Sequence, residues 1–196
     1  MGKRKYELRQ RAEHQQATRQ RITEAAVRLH GSVGPAATTI SAVAELAGVQ
    51  RATVYRHFPD EASLFRACST HFFAANPPPD PAAWQQLTDP QARLGRALAE
   101  LYAWYAQTEP MLANITRDAE LLPHLVGRGY TELLARLRQA LTPGWQARDA
   151  RARLLQAALG HALHFRTWRS LVREQGLDPA QAVGLMVDLV HGATSQ

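Results

Sequence analysis

The densest chemistry in this 196-residue chain sits in seven consecutive residues, Arg51-Ala52-Thr53-Val54-Tyr55-Arg56-His57. Arg51 can donate to both acceptors of a guanine edge at once, and Ala52 is small enough to touch a thymine methyl or let the backbone come near. On a helix, positions 51, 52, 55 and 56 share one side and Val54 and Phe58 the other. A flat, partly basic face therefore points away from a buried stripe. Other chemistry is sparse. His161 and His164 stand i, i+3, a spacing two metal ligands can use, but no Cys pair or neighbouring carboxylate cluster completes a set. No nucleophile elbow, H-E-x-x-H pair or phosphate-cradling glycine loop is present. The expectation is no catalytic site, no metal and no cofactor.

A polar face is useful only if something holds it rigid, and the preceding residues supply the means. Thr39 is an N-cap type, and Ile40, Val43, Ala44 and Ala47 repeat at i, i+3, i+4 and i+7, one buried stripe on a short helix. Gly48 offers a left-handed turn position, Val49 plugs the corner, and a second helix starts near Arg51. Ahead of them, Ala17–His30 carries the stripe Ile22, Ala25, Ala26 and Leu29 before Gly31 and Gly34-Pro35. After them, Asp60 caps a fourth helix with Leu64, Phe65, Cys68 and Phe72. These are the parts of a helix-turn-helix, whose second helix suits a major groove.

The run from Thr39 to Leu64 resembles the DNA-binding signature of the tetracycline-repressor (TetR) family of bacterial regulators. Thr39, Ile40, Val43, Ala44, Ala47-Gly48-Val49, Val54-Tyr55, His57-Phe58 and Leu64 carry the match. The resemblance implies that Arg51, Ala52 and Tyr55 face base edges, and that Thr39, Thr53, Tyr55 and His57 reach phosphates. Arg56 serves either purpose. Two residues depart from the family pattern: Gln50 stands where a Ser often caps the recognition helix, and Glu61 where a Lys often meets a phosphate. The implied protein is a cytoplasmic homodimeric regulator, a repressor bound to a near-palindromic double-stranded operator and released by a small apolar or aromatic effector. The rival reading is a small helical enzyme or binding protein that uses a C-terminal pocket, with DNA binding incidental.

Composition agrees with a globular chain, 45% hydrophobic and 20% charged with a net charge of +6. Residues 1–73 carry 11 basic and 6 acidic side chains against 12 and 11 in residues 74–196, so the positive excess lies with the helix-turn-helix half. Cys68 is the only cysteine, which excludes an internal disulfide, and its spacing with Leu64, Phe65 and Phe72 marks it as core. The N-terminus lacks the apolar stretch of a signal peptide, and no apolar run is long enough to span a membrane.

The expected fold is all-α: an N-terminal three-helix helix-turn-helix domain followed by a C-terminal helical bundle. Residues 1–16 read as a basic mobile arm, in which Lys3-Arg4-Lys5, Arg9 and Arg11 either follow phosphates or stay solvated. Residues 17–76 read as the DNA-binding domain and 77–196 as the effector and dimerisation domain, with the boundary at Asn76-Pro77-Pro78-Pro79-Asp80-Pro81. Later helices are expected at Asp89–Gln107, Pro110–Thr116, Leu121–Leu141, Asp149–Gln175 and Pro179–Val190. Tyr102, Trp104, Tyr105, Met111, Ile115, Tyr130 and Trp168 are the candidate effector lining. Arg117-Asp118-Ala119-Glu120 offers either polar groups for a ligand or a salt-bridged loop. Two nearly all-apolar helices close the chain, and a two-fold partner would complete a four-helix bundle through Leu155, Ala158, Leu159, Ala162, Met186 and Leu189.

Overall fold

The protein is seen in a computed structural model that describes residues 2–122 and 128–194, all helix, turn and loop with no strand among them. Its chain divides into two compact units. The first joins Met1–Pro77 to Pro110–Gly127, and the second joins Pro78–Glu109 to Arg128–Gln196. The described segment 110–122, expected with the C-terminal domain, thus folds with the first unit.

In the first unit, α1 (Gly2–Ser32) lies against α2 (Ile40–Ala47) and α4 (Glu61–Ala75), with α3 (Arg51–His57) beside α2. Their shared core is Ile22, Ala25, Ala26, Val43, Ala44, Ala47, Val54, Phe58, Leu64 and Cys68. The Cys68 thiol is buried, contacts the Thr23 carbonyl at 3.8 Å and is pushed up to about 12 by burial, as suits a core residue rather than a reactive thiolate.

The end of α5 (Pro90–Asp118) is tied into this unit by polar contacts. Asn114 Nδ2 donates to the carbonyls of His30 and Gly31 at 2.9 and 3.0 Å. Arg117 donates to the Val33 carbonyl at 2.9 Å, and the buried Asp118 carboxylate accepts from the Ala36 amide at 2.9 Å and from Arg117 Nε at 2.7 Å. Gly34 runs beneath that ion pair at φ 95°, where a Cβ would strike both side chains. Arg117 and Asp118 therefore clamp the loop after α1, the salt-bridged alternative of the sequence reading.

The second unit holds the first part of α5 with α6 (Arg128–Leu141), α7 (Asp149–Ala162), α8 (Phe165–Arg169, running into a π turn over Ser170–Glu174) and α9 (Pro179–Thr194). A 3₁₀ turn, Pro81–Trp84, precedes α5, and α7 packs against α9. All four tryptophans, Trp84, Trp104, Trp145 and Trp168, belong to this unit.

Four expected boundaries are corrected. Residues 6–16 are helical rather than an unstructured arm, because Leu, Arg, Glu, Gln and Ala favour helix without any burial, helped by i, i+4 pairs such as Arg9–Glu13 at 3.0 Å. The contacts expected of Lys3, Arg4 and Lys5 concern side chains outside the described residues. Asp89–Gln107 and Pro110–Thr116 are one helix, α5, with Pro110 inside it. Pro110 denies the Ala106 carbonyl its usual donor, but both residues are exposed and solvent can replace the bond. The helix expected over Leu121–Leu141 is seen from Arg128, and residues 123–127 with Leu125 lie outside the described residues.

The fourth correction is the break at Leu163-His164 within the expected helix Asp149–Gln175. A break frees backbone groups that burial would otherwise orphan. Tyr102 OH donates to the Ala162 carbonyl at 2.9 Å, Tyr105 OH to the Leu163 carbonyl at 2.5 Å, and the Phe165 amide donates to Tyr130 OH at 2.8 Å. Since Tyr105 gives its proton to Leu163, Tyr130 donates across the 3.1 Å contact between the two hydroxyls. Burial holds all three phenols above their ordinary range, so they remain donors.

Candidate nucleic-acid interface

The recognition face rests on backbone geometry that its own residues enforce. Thr39, in extended conformation, caps α2 by accepting from the Ala42 amide at 3.1 Å. Gly48 ends α2 at φ 65°, a left-handed conformation that an L side chain pays to adopt. The Val49 amide then bonds the Ala44 carbonyl at 2.9 Å, closing the turn before α3. Gln50 leads into α3 with no side-chain cap, in keeping with its departure from the family pattern. Asp60 accepts from the Ser63 amide at 2.6 Å and starts α4, whose first residue is Glu61.

With Val54 and Phe58 fully buried beneath it, α3 leaves Arg51, Ala52, Tyr55 and Arg56 exposed. Tyr55, an aromatic that a core would normally claim, is 47% exposed. Thr53 and His57 are half-buried at the edges of the same face. Arg56 Nη2 lies 3.5 Å from Thr53 Oγ1, a long contact that leaves the guanidinium available. The structure thus assembles all six α3 residues named from sequence on one short helix, with Thr39 at the start of α2. Thr39 spends its hydroxyl oxygen on capping and keeps its proton for a further acceptor.

His57 is electrostatically perturbed on this face. Partial burial first, and then the positive charges of Arg56 and Arg19, hold its imidazole below the ordinary histidine value. Arg19, which the sequence reading misses, braces the helix end: its guanidinium donates to the His57 carbonyl at 2.6 Å and lies 4.1 Å from the centre of the Phe58 ring. An Arg alone on a polar helix face gives no sequence signal of that kind.

The other candidates divide. Tyr102, Trp104, Tyr105, Tyr130 and Trp168 are buried together in the second unit, with Tyr105 5.4 Å from Phe165 and 5.9 Å from Trp168 by ring centres. Met111 and Ile115 belong instead to the first unit. Of the residues expected at a two-fold contact, Leu155, Leu159, Ala162 and Met186 are buried within the protomer and form its own core. Helical spacing shows which residues are apolar, not which of two faces the partner helix covers. Ala158 and Leu189 do lie outward, in a shallow apolar surface shared with Leu154, Ala157, Gly192 and Ala193. His161 and His164 are locally engaged: His164 Nδ1 caps α8 by accepting from the Arg166 amide at 3.1 Å, and His161 Nδ1 lies 3.4 Å from Thr167 Oγ1. No group of three potential metal ligands occurs among the described residues, and no described helix is long and apolar enough to cross a membrane.

A four-helix core that thrusts a small polar helix face outward defines a helix-turn-helix DNA-binding domain. Residues 22–68 match the family described as bacterial regulatory proteins, tetR family. Over 60 residues the chain is 45% identical to the HTH-type transcriptional regulator TtgR of Pseudomonas putida, covering 31% of this chain and 29% of that protein. Over 50 residues it is 42% identical to the HTH-type transcriptional regulator AcrR of Shigella flexneri, covering 26% and 23%. The aligned stretch thus spans less than a third of these relatives. The likeness to the TetR family is thus confined to the N-terminal domain. Beyond that domain the likeness is one of fold. A Clostridium perfringens protein assigned as a fatty acid metabolism regulator aligns with a TM-score of 0.57 at 18% identity, over 90% of this chain and 99% of that one. RolR, solved with resorcinol, aligns with a TM-score of 0.50 at 18% identity, over 94% and 96%.

Proposed function

We propose that the chain is a homodimeric transcriptional repressor that reads a near-palindromic operator with one α3 per protomer and releases it on binding a small apolar or aromatic effector. The observation that carries the reading is the exposed Arg51, Ala52, Tyr55 and Arg56 face over a closed core. Arg51, Ala52 and Tyr55 face base edges, and Thr39, Thr53, Tyr55 and His57 contact phosphates. Recognition helices of a dimer enter successive major grooves about 34–36 Å apart. Dimerisation uses the outward surface of α7 and α9.

Readout and positioning respond differently to substitution. Arg51→Ala is expected to relax preference at one base position per half-site, costing about 1–3 kcal/mol there. His57→Ala is expected to weaken specific and random duplexes alike and to lower the salt dependence by roughly one unit. Binding assays on genomic fragments selected by the unmodified protein, with random DNA alongside, separate the two. Equal loss on both duplexes for Arg51→Ala removes Arg51 as a base reader.

The effector belongs to the second unit, where Tyr102, Trp104, Tyr105, Tyr130 and Trp168 gather. The rings are packed against one another and the hydroxyls hold the α7–α8 break, so a ligand must part them. It acts only by binding a conformation with poorer DNA affinity more tightly than the DNA-competent one. RolR, a fold relative, was solved with a single aromatic ring compound, which supports this chemical class. A calorimetric screen of small aromatic compounds is expected to find ligands that raise the melting temperature and weaken fragment binding together. A panel that changes neither quantity overturns effector control.

A further inference from the structure

Most of the net positive charge of this protein lies outside the motif that reads DNA. Residues 1–21 hold seven basic and two acidic side chains, whereas residues 22–73 hold four of each. Residues 22–73, which contain the helix-turn-helix, are thus neutral overall, and residues 74–196 add twelve basic against eleven acidic. Nearly the whole net charge of +6 therefore belongs to residues 1–21, the N-terminal part of α1.

That part of α1 has no partner for most of its length. From Tyr6 to Arg21 no described side chain is buried, and Leu8 is 61% exposed. Yet the segment is held in place. It continues without a break into the part of α1 that carries Ile22, Ala25 and Ala26 of the core, and Arg19 fastens it to the His57 carbonyl and the Phe58 ring at the end of α3. Positions 8, 11, 15 and 18 extend the stripe of 22, 25, 26 and 29, so the side of α1 that packs on α2 and α4 runs on past them as Leu8, Arg11, Gln15 and Thr18. At about 1.5 Å per residue, the stretch from Gly2 to Arg19 reaches roughly 25 Å.

We infer that this half-helix is a rigid arm that follows the phosphate backbone of duplex DNA outside the half-site taken by α3. The inference rests on the DNA-binding reading above and adds a second, sequence-independent contact to it. Charge complementarity selects the occupant: B-DNA offers one negative charge per ~1.7 Å of its axis, a field that residues 22–73, with no net charge, exploit less than the arm does. An anionic membrane fits less well, because an interfacial helix needs a continuous apolar face and residues 6–21 supply only Tyr6, Leu8, Ala12 and Ala17. A second copy of the arm would repel the first. Helix rather than coil matters here, since the ordering entropy is already met before DNA arrives.

The test compares the full chain with a variant carrying Lys3→Gln, Arg4→Gln, Lys5→Gln, Arg9→Gln and Arg11→Gln. Arg19 is left in place as a structural brace, and glutamine preserves helix propensity. Circular dichroism and melting confirm that the variant folds. Both proteins are titrated at several salt concentrations with three probes. These are a genomic fragment selected by the unmodified protein, a random duplex of about 40 base pairs, long enough to exceed two major-groove half-sites, and phosphatidylserine vesicles. The expected result is a fall in the salt slope of about three units or more per protomer on both duplexes, at roughly 0.9 per lost contact. Protection from cleavage should retreat at the outer edges of the fragment while base preference stays the same. An unchanged slope and footprint, with fragment binding intact, overturns the arm and leaves the operator reading standing. Failure of the unmodified protein to bind either duplex overturns both. A loss confined to vesicles assigns the arm to a lipid surface and overturns it as a DNA contact.

Discussion

Ala158→Glu and Leu189→Glu are each expected to turn a dimer into a monomer. Leu154, Leu185 and Leu189 are about half exposed in the protomer, and Ala158 beside them is small enough for close helix approach. Across a two-fold axis one glutamate becomes a pair of like charges in an apolar contact. Burying an uncompensated charge costs roughly 3–5 kcal/mol, which corresponds to a rise in dimer dissociation constant of about a hundredfold to several thousandfold. Neither substitution touches the protomer core, so the helical content and the heat of unfolding should persist. Leu155→Ala is the contrast: buried within the protomer, it should cost about 2–5 kcal/mol of stability through the cavity it leaves. Sedimentation equilibrium at micromolar concentration decides the matter. An unmodified protein that sediments as a monomer, or a dimer that survives both glutamates, removes α7 and α9 as the assembly face.

A second large effect follows from His30 as pH falls. The imidazole is 7% exposed, tilted against Phe65 with ring centres 5.6 Å apart, and burial lowers it to about 4 although the Asp118 carboxylate pulls the other way. Its ordinary value is 6.5. Between these two values the unfolded chain binds a proton at this position and the folded chain does not, so stability rises with pH across the window. Acidification from pH 7 should therefore begin to cost stability near 6.5 and finish near 4, a total of roughly 3 kcal/mol at 1.36 kcal/mol for each unit of pH. Asp118 acts in a lower window. Burial alone would raise its carboxyl, but the hydrogen bonds from Arg117 and the Ala36 amide outweigh that and hold it below the ordinary carboxylate value. Its contribution is present above that ordinary value and is lost as pH falls through the folded one. Urea unfolding followed by circular dichroism, with His30→Gln alongside, isolates the histidine. The advantage of the unmodified protein over His30→Gln should shrink by about 2 kcal/mol or more between roughly pH 7 and 4.5. A constant gap between the two proteins would show that His30 does not titrate in this window.

What could be read from the sequence was whatever a local rule enforces. Thr39 caps, Gly48 turns left-handed, Asp60 caps again, and each does so with the neighbours its position demands. The face of α3 followed from spacing alone, because a seven-residue helix with Val54 buried has few other ways to lie. Where two forces compete, spacing misled. Helix propensity without burial organises residues 6–16, and a search for apolar stripes passes over it. Pro110 reads as a stop, but an exposed carbonyl can do without its donor. The α7–α8 break depends on three tyrosines brought from α5 and α6, and nothing within residues 149–175 announces it. The same long-range arrangement gives Tyr102, Tyr105 and Tyr130, whose aromatic character suggested a ligand wall, a second role, since their hydroxyls secure freed backbone groups. At the chain's end, Leu155 and Leu189 are equally apolar in sequence, and only tertiary packing puts one inside and the other out.

Confinement of all four indoles to the second unit makes the two halves of this chain optically distinct. Emission excited at the red edge of aromatic absorption arises from that unit alone, whereas the amide signal sums over every helix. The DNA-reading unit has only Tyr6 and Tyr55 as phenols and is dark to such excitation. One melt recorded in both channels therefore measures cooperativity directly. Superimposed transitions mean that the helix shared by the two units, α5, welds them into a single all-or-none block; staggered transitions mean that each unit melts on its own account.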